Sequence, residues 1–277
     1  MGKLLCAAFY RLRKNKVFWT EIGMTAILSA YIVLANYSTH IQASENRLYL
    51  DNVFFVMYQL MSLLLAASIS LIVGTEYSDG TIRNKLIVGH TRSQVYFSNL
   101  IASAVPSVLV VLVHGIITYG LGRLLFGAFQ MPIGQVFTGI VSALLTSFVF
   151  AAMFVAIAMN CSSKAVTAVA SMLLAIGLLY LTSFFARALT EPEMVYDGIR
   201  ISAEGVQFGE LIPNPAYVSG IQRTVYEWIY DLLPNGQLQQ IFDLDFTHCV
   251  RWPWLSISLT VMITILGYAL FRKKDIK

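Results

Sequence analysis

Long apolar runs alternate with short polar stretches along the 277-residue chain. Six of the runs are about 20 residues long, the length of an α-helix that crosses the roughly 30 Å hydrocarbon core of a bilayer. They are Val17–Asn36, Val53–Val73, Leu100–Gly122, Gln135–Met159, Val166–Ala186 and Pro253–Leu270. The pattern predicts an all-α polytopic membrane protein with six transmembrane helices.

Composition supports the same class, because 57% of the residues are hydrophobic and only 12% are charged. Soluble domains are about 25% charged. We divide the chain into an interfacial helix at 1–16, five spans at 17–186, an external segment at 187–252, and the sixth span with a basic tail at 253–277. The external segment is predicted to form a small domain between the fifth and sixth spans.

Lys and Arg are distributed unequally between the two sides of the predicted membrane. Thirteen of the 19 lie at the two ends of the chain, in the loop after the second span, or in the turn at 160–165. Cytoplasmic loops carry such an excess. We therefore expect a multi-pass protein of the cell membrane with both termini in the cytoplasm. The net charge of +4 then reflects contact with the lipid bilayer, and we expect no nucleic-acid partner.

Residues 1–16, MGKLLCAAFYRLRKNK, are too few to span a membrane. Leu4, Leu5, Ala8 and Phe9 fall near one face of a helix, and the basic residues follow toward its end. This pattern is typical of a helix that lies in the inner interface. The alternative is an ordinary basic lead-in to the first span.

The external segment contains two local signals. In VYDGIRI (Val195–Ile201), Asp-Gly stands between β-prone residues, which predicts a hairpin turn. In AYVSGIQRTVYEWIYDLL (Ala216–Leu233), apolar residues recur at helical spacing and predict an amphipathic helix. Such a helix lies on the outer leaflet or packs on the core of its own domain, and the sequence leaves both open.

The loop GTEYSDGTIRNKLIVGHTRSQVYFSNL (Gly74–Leu100) carries helix-end signals. Asp79 is a favoured N-cap residue, and Gly89 stands where a glycine would end a short helix. Thr91 and Gln94 form a capping box that starts the third span. The loop is thus predicted to hold a short, bounded helix. It places Leu86 on an apolar side, and Arg83 and Lys85 on other sides, a mixed apolar and basic surface that suits a partner. The alternative is a well-capped cytoplasmic loop with no partner.

The same loop resembles the signature of type-2 ABC exporter permeases. In that family, the loop after the second span carries Glu, then Gly-Thr, a Leu-rich short helix, and Ser/Thr-Arg before the third span. The matching residues are Glu76, Gly80, Thr81, Leu86, Thr91 and Arg92. The basic N-terminal helix, the six spans, the long segment before the sixth span and the basic tail also match.

The resemblance implies that residues 76–92 form a coupling helix, which sits in a groove of a separate ATP-binding-cassette ATPase. The coupling residues would be Glu76, Asp79, Gly80, Thr81, Arg83, Lys85, Leu86 and Arg92. The resemblance also implies a dimer with a second copy or a sister permease. It further implies export of a hydrophobic or amphipathic substrate such as an antimicrobial peptide, a drug or a lipid. ATP and Mg²⁺ would be bound by the ATPase, with no cofactor on this chain.

The sequence contains no G-x-x-x-x-G-K-[ST], H-E-x-x-H or C-x-x-C motif, so we expect no catalytic residue, no metal site and no enzyme activity. The alternative function is a non-transporting membrane sensor or immunity protein whose external domain binds a ligand. A membrane-embedded enzyme is disfavoured, because no cluster of His, Asp or Glu lies at the ends of the spans.

Two ionisable residues lie within predicted spans. Glu21 is about one turn inside the first span, and His114 is deeper in the third. Such residues are candidates for function. For Glu21, the alternative is pairing with the basic N-terminal helix, and for His114 it is an interhelical hydrogen bond.

Overall fold

The computed structural model describes residues 1–42, 49–202 and 205–275. Six helical segments in these residues are long and apolar enough to cross a membrane. They are Lys16–Thr39, Leu50–Ser78, Arg92–Phe126, Ile133–Asn160, Lys164–Thr190 and Trp252–Lys273. Each contains one of the six predicted runs, so the prediction of an all-α polytopic fold with six spans is confirmed.

The helices and strands have the following bounds. The helices are α1 (Gly2–Lys14), α2 (Lys16–Gln42), α3 (Leu50–Phe54), a 3₁₀ helix (Val56–Leu60), α4 (Met61–Ser78), α5 (Thr81–Ile87), α6 (Arg92–Phe126), α7 (Ile133–Asn160), α8 (Lys164–Thr190), α9 (Gly220–Leu232), α10 (Pro234–Phe242) and α11 (Trp252–Lys273). The strands are β1 (Met194–Tyr196), β2 (Ile199–Ser202), β3 (Gly205–Phe208) and β4 (Leu211–Pro213).

Helix α7 lies at the centre of the bundle and packs against α4, α6 and α11. Phe150, Ala151 and Phe154 on α7 are almost completely buried. Small residues let membrane helices approach closely. A side chain at Gly267 of α11 would overlap Ala156 of α7, so this glycine sets the separation of the two helices.

The second span is interrupted, whereas the sequence predicts one continuous run. It consists of α3, the 3₁₀ helix and α4. The amide of Tyr58 donates to the carbonyl of Phe55, and the carbonyl of Phe54 instead accepts from Nε2 of His114 at 2.7 Å. A break in a span requires such a replacement partner, because lipid offers none to a free backbone group.

Helix α1 packs on the protein itself. Leu4, Ala8 and Leu12 are buried, and α1 contacts α6. Phe9, predicted to share the apolar face, is 39% exposed. The buried stripe therefore follows the i, i+4, i+8 spacing of one helix face. Contact of α1 with the membrane interface stays a prediction.

The predicted hairpin turn at Asp197–Gly198 is wrong. β1 pairs with β4, and β2 pairs with β3, both antiparallel. Asp197 and Gly198 lie between the two strand pairs, where the amide of Gly209 donates to the carbonyl of Gly198. Gly198 has φ 94°, a conformation that glycine adopts readily. Here the positive φ forms a bend within a longer ribbon and not the turn of a hairpin.

The second half of the segment predicted as external packs among the spans. α10 is almost wholly buried and contacts α7, α8 and the 3₁₀ helix. Gln237 of α10 accepts hydrogen bonds from Thr146 of α7 at 3.2 Å and from Ser256 of α11 at 2.8 Å. These bonds satisfy a polar side chain that would otherwise be costly to bury.

Helix α9 exposes its apolar face. Ile221 is 85% exposed, and Val225, Trp228 and Leu232 are between 44% and 49% exposed. Of the two alternatives for this helix, packing on its own domain core is thereby disfavoured. An exposed apolar stripe on a membrane protein fits a lipid surface.

Candidate functional site

Helix α5, the predicted coupling helix, has well-defined ends. The amide of His90 donates to the carbonyl of Lys85, and the amide of Gly89 donates to that of Leu86. With Gly89 at φ 97°, this is a Schellman motif, so the predicted glycine end is confirmed. At the other end, the predicted Asp79 cap is wrong.

The N-cap of α5 is Gly80, which has φ 65° and no side-chain cap. A left-handed residue makes the sharp reversal from α4 into α5, and glycine adopts that conformation without steric cost. Asp79 ends α4 instead, and its side chain is exposed. Thr81 is half-buried and lines a small cavity of about 140 Å³ beside Glu76.

Glu76 joins three helices at this end of the bundle. From the last turns of α4, its Oε1 atom lies 2.5 Å from Nη2 of Arg11 on α1, and its Oε2 atom lies 2.6 Å from Nζ of Lys85 on α5. The side chains of Lys85 and Glu76 are only 9% and 13% exposed. One carboxylate thus ties α5 both to the second span and to the N-terminal helix.

Lys85 is buried rather than available to a partner, which corrects its predicted orientation. Burial lowers the pKa of its ammonium group, and the charge and hydrogen bond of Glu76 oppose this shift. A buried ammonium requires such a carboxylate, because charge is costly to remove from water. Leu86 is half-buried and packs against the core.

The exposed surface of α5 and its C-terminus combines one charge with two apolar side chains. Arg83 is exposed and forms no ion pair with any described residue. Ile87 is 71% exposed and Val88 is 78% exposed. The sequence reasoning missed the apolar pair. The sequence does contain a signal for this pair, because two β-branched residues stand directly before the helix-ending Gly89 in an otherwise polar loop.

Arg92 contacts the end of the last span. Its Nη1 atom donates to the carbonyls of Phe271 and Arg272 at 3.0 Å and of Lys274 at 2.5 Å. The carbonyls at the end of an α-helix lack the usual partners of the helix interior. Of these three at the end of α11, only that of Phe271 also accepts from a backbone amide of a described residue, that of Lys274. The predicted capping box of Thr91 and Gln94 is present at the start of the same α6.

The segments predicted to be cytoplasmic therefore meet at one end of the bundle. Glu76 joins α1 to α5, Arg92 joins α6 to the end of α11, and the amide of Lys164 donates to Oγ of Ser78 at 3.2 Å. Helix α1 and the C-terminal end of α11 lie at the same end as α5, as an even number of spans requires.

Glu21 lies in a groove between α2, α4 and α8. The groove has a volume of about 430 Å³ and mostly apolar walls, with Lys16 near Glu21 on α2. Oγ of Ser68 donates to Oε1 of Glu21 at 2.7 Å, whereas the buried Oε2 atom accepts no hydrogen bond from a described residue. Pairing with the basic N-terminal helix, the alternative for Glu21, does not occur in the part of the chain described.

His114 is completely buried and ties three elements together. Besides the bond to Phe54, its Nδ1 atom lies 2.9 Å from Oγ of Ser29 on α2 and 3.1 Å from Oγ1 of Thr118. Because a carbonyl only accepts, Nε2 is the protonated nitrogen and Nδ1 the acceptor. This is the interhelical hydrogen bond that the sequence left as an alternative to a transport role.

Six membrane-length helices around a shared core, with a short helix fixed between the second and third, define a polytopic membrane protein. The family model described as ABC-2 family transporter protein matches residues 4–184. The match covers more than half of the chain, including α1, α5 and five spans, and the chain therefore belongs to this family. As a member, it is a membrane transport component of the ABC type. A search of curated proteins found no match.

Proposed function

We propose that the chain is the permease subunit of an ATP-driven exporter and that α5 is its contact with the ATPase. ATP and Mg²⁺ are bound by the separate ATPase, and this chain binds no cofactor and catalyses no reaction. Two permeases, either two copies or this chain with a sister permease, complete the transporter. Both termini and α5 face the cytoplasm, as the distribution of Lys and Arg indicates.

One observation supports this assignment above the others. The tip of α5 presents Ile87 and Val88 outward, while the same helix is fixed from behind through Lys85 and Glu76. Exposed apolar side chains at a polar end of a membrane protein fit a protein interface. A helix held by a buried ion pair also transmits movement to α1 and α4, because the three elements share one carboxylate.

The groove beside Glu21 favours the proposal that the substrate is hydrophobic or amphipathic and enters from the inner leaflet. Its walls are apolar, and one oxygen of the Glu21 carboxylate is unpaired among the described residues. Antimicrobial peptides, drugs and lipids all combine apolar surface with polar groups. A substrate with a positive charge would satisfy Glu21, since a buried carboxylate requires a partner.

A matched pair of substitutions tests the role of α5. Val88 and Val250 are 78% and 77% exposed, and Val250 lies before α11, at the other end of that span. We expect Val88→Asp to weaken assembly with the ATPase at least about tenfold, because a charge at an apolar contact costs about 1.4 kcal/mol or more. Val250→Asp is the control. Co-purification and stimulated ATP hydrolysis are the measurements.

Equal assembly and equal stimulation by both variants would refute the role of α5. Transport is tested separately, with inverted vesicles that contain permease and ATPase. Accumulation of a cationic amphipathic dye that requires ATP, and that falls with Glu21→Gln, supports export. Normal assembly with no ATP-dependent movement of any probe would instead favour the alternative, a non-transporting sensor or immunity protein.

A further inference from the structure

A second cavity lies at the end of the bundle remote from α5. It has a volume of about 540 Å³ and is bounded by the last turns of α8, by α9 and α10, and by the loop that follows α10. Its polar lining comprises Arg223, Glu227, Tyr230, Asp243, Asp245 and His248, among others. The cavity is independent of the groove beside Glu21 and of the proposed ATPase contact.

The basic side chains at this cavity are already engaged. Nε of Arg223 lies 3.2 Å from Oε1 of Glu227, and the same guanidinium donates to the carbonyl of Leu189. Nδ1 of His248 lies 3.1 Å from the fully buried carboxylate of Asp231, which Arg251 also contacts at 3.2 Å. The basic side chains near the cavity are thus directed to other partners.

Asp243 and Asp245 are exposed residues that line the cavity, and they have only neutral donors. Asp243 accepts from Nε2 of Gln239 at 3.1 Å, and Asp245 accepts from the amide and the hydroxyl of Thr247. Neither carboxylate forms an ion pair with a described residue. Burial raises the pKa of Asp243, the hydrogen bond from Gln239 opposes this shift, and the charge of Asp245 adds to it. A cation between the two carboxylates would relieve their repulsion.

Tyr230 is an independent indication of a ligand. Its side chain lines the cavity and the residue is only 7% exposed, yet its hydroxyl makes no hydrogen bond within the described part of the chain. Burial raises the pKa of this hydroxyl, and the charges of Asp243, Asp245 and Asp231 raise it further, which places the group close to these acids. The hydroxyl is not fully enclosed by protein, and because Tyr230 lines the cavity, a ligand there can reach it.

We propose that this cavity binds the protonated amine or guanidinium group of an organic cation. The cation lies against Asp243 and Asp245, and its N–H groups donate to both carboxylates and to the hydroxyl oxygen of Tyr230. Two sources carry this group, a free polyamine and a lysine or arginine side chain of a peptide.

The test uses the full-length protein in nanodiscs and isothermal titration calorimetry. The probes are spermidine and a short lysine-rich peptide. We expect at least one probe to bind the wild type and to bind Asp243→Asn/Asp245→Asn at least about tenfold more weakly, since each lost charge-assisted hydrogen bond is worth about a factor of ten. Binding of spermidine identifies a free polyamine as a sufficient ligand, and binding of the peptide alone identifies a basic side chain.

The control is Glu193→Gln/Glu210→Gln, which removes the same two charges from exposed positions beside the β-ribbon and should leave binding unchanged. Tyr230→Phe removes only the hydroxyl and should weaken binding several-fold. Thermal melting identifies any double variant that fails to fold. In that case, the affinity of Tyr230→Phe relative to the wild type tests the proposal. The proposal is overturned if neither probe binds, if both double variants weaken binding equally, or if Tyr230→Phe binds like the wild type.

Discussion

Replacing Glu76 by Gln removes the charge that joins α1, α4 and α5 while keeping the size of the side chain. The pair with Arg11 contributes little, because Arg11 is 37% exposed and exposed ion pairs are worth about 0–1 kcal/mol. The pair with Lys85 matters more. Its loss leaves a largely buried ammonium without a counter-charge, and breaking a buried pair costs roughly 3–5 kcal/mol.

We therefore expect Glu76→Gln to destabilise the protein by about 3 kcal/mol, at the lower end of that range because Glu76 is 13% exposed. The measurement is the thermal unfolding midpoint in detergent. Asp79→Asn is the control, since Asp79 belongs to the same loop and is exposed. Its effect should stay within about 0.5 kcal/mol.

A double variant separates the loss of a charge pair from the loss of packing. Glu76→Gln/Lys85→Met removes both buried charges, and apolar replacements of buried ion pairs are often neutral, so it should recover to within about 1 kcal/mol of the wild type. If Glu76→Gln is as stable as the wild type, or if the double variant is no more stable than Glu76→Gln, the explanation through buried charge is refuted.

The pH dependence provides a further check. Burial lowers the folded-state pKa of Lys85 below its ordinary value of 10.5, and Glu76 limits that shift. Without Glu76 the folded-state pKa falls further. Between the folded-state and unfolded-state values, the unfolded protein binds more protons, so stability rises with pH. We expect the deficit of Glu76→Gln relative to the wild type to shrink as the pH rises toward about 10.

Three further outcomes follow from the contacts described. His114→Ala should destabilise by about 2–4 kcal/mol, because it frees the buried carbonyl of Phe54 and leaves a cavity, and thermal unfolding in detergent measures this. Arg92→Ala should speed trypsin cleavage of the C-terminal tail severalfold, since the end of α11 loses its three carbonyl contacts. In intact cells, a membrane-impermeant maleimide should label a variant that retains only Cys249 and not one that retains only Cys6. The reverse pattern would contradict the proposed orientation.

Local sequence patterns were sufficient to predict the membrane class, the six spans and the bounded loop helix. These features depend on local properties. A run of about 20 apolar residues must cross or avoid a bilayer wherever it occurs, and the glycine end of α5 and the capping box of Thr91 involve residues at most five positions apart. The family resemblance added the expectation that this loop couples to an ATPase.

Which side chains are available for function depends on the packing of the helices. Lys85 and Arg92 have the same charge as Arg83, but Lys85 is turned toward Glu76, Arg92 toward the end of α11, and Arg83 toward solvent. The partners of Arg92 lie about 180 positions away along the chain, so no local pattern could assign them. The burial of α10 among the spans and the unpaired Tyr230 hydroxyl likewise depend on how distant helices pack, because burial and hydrogen-bond partners are properties of the assembled bundle.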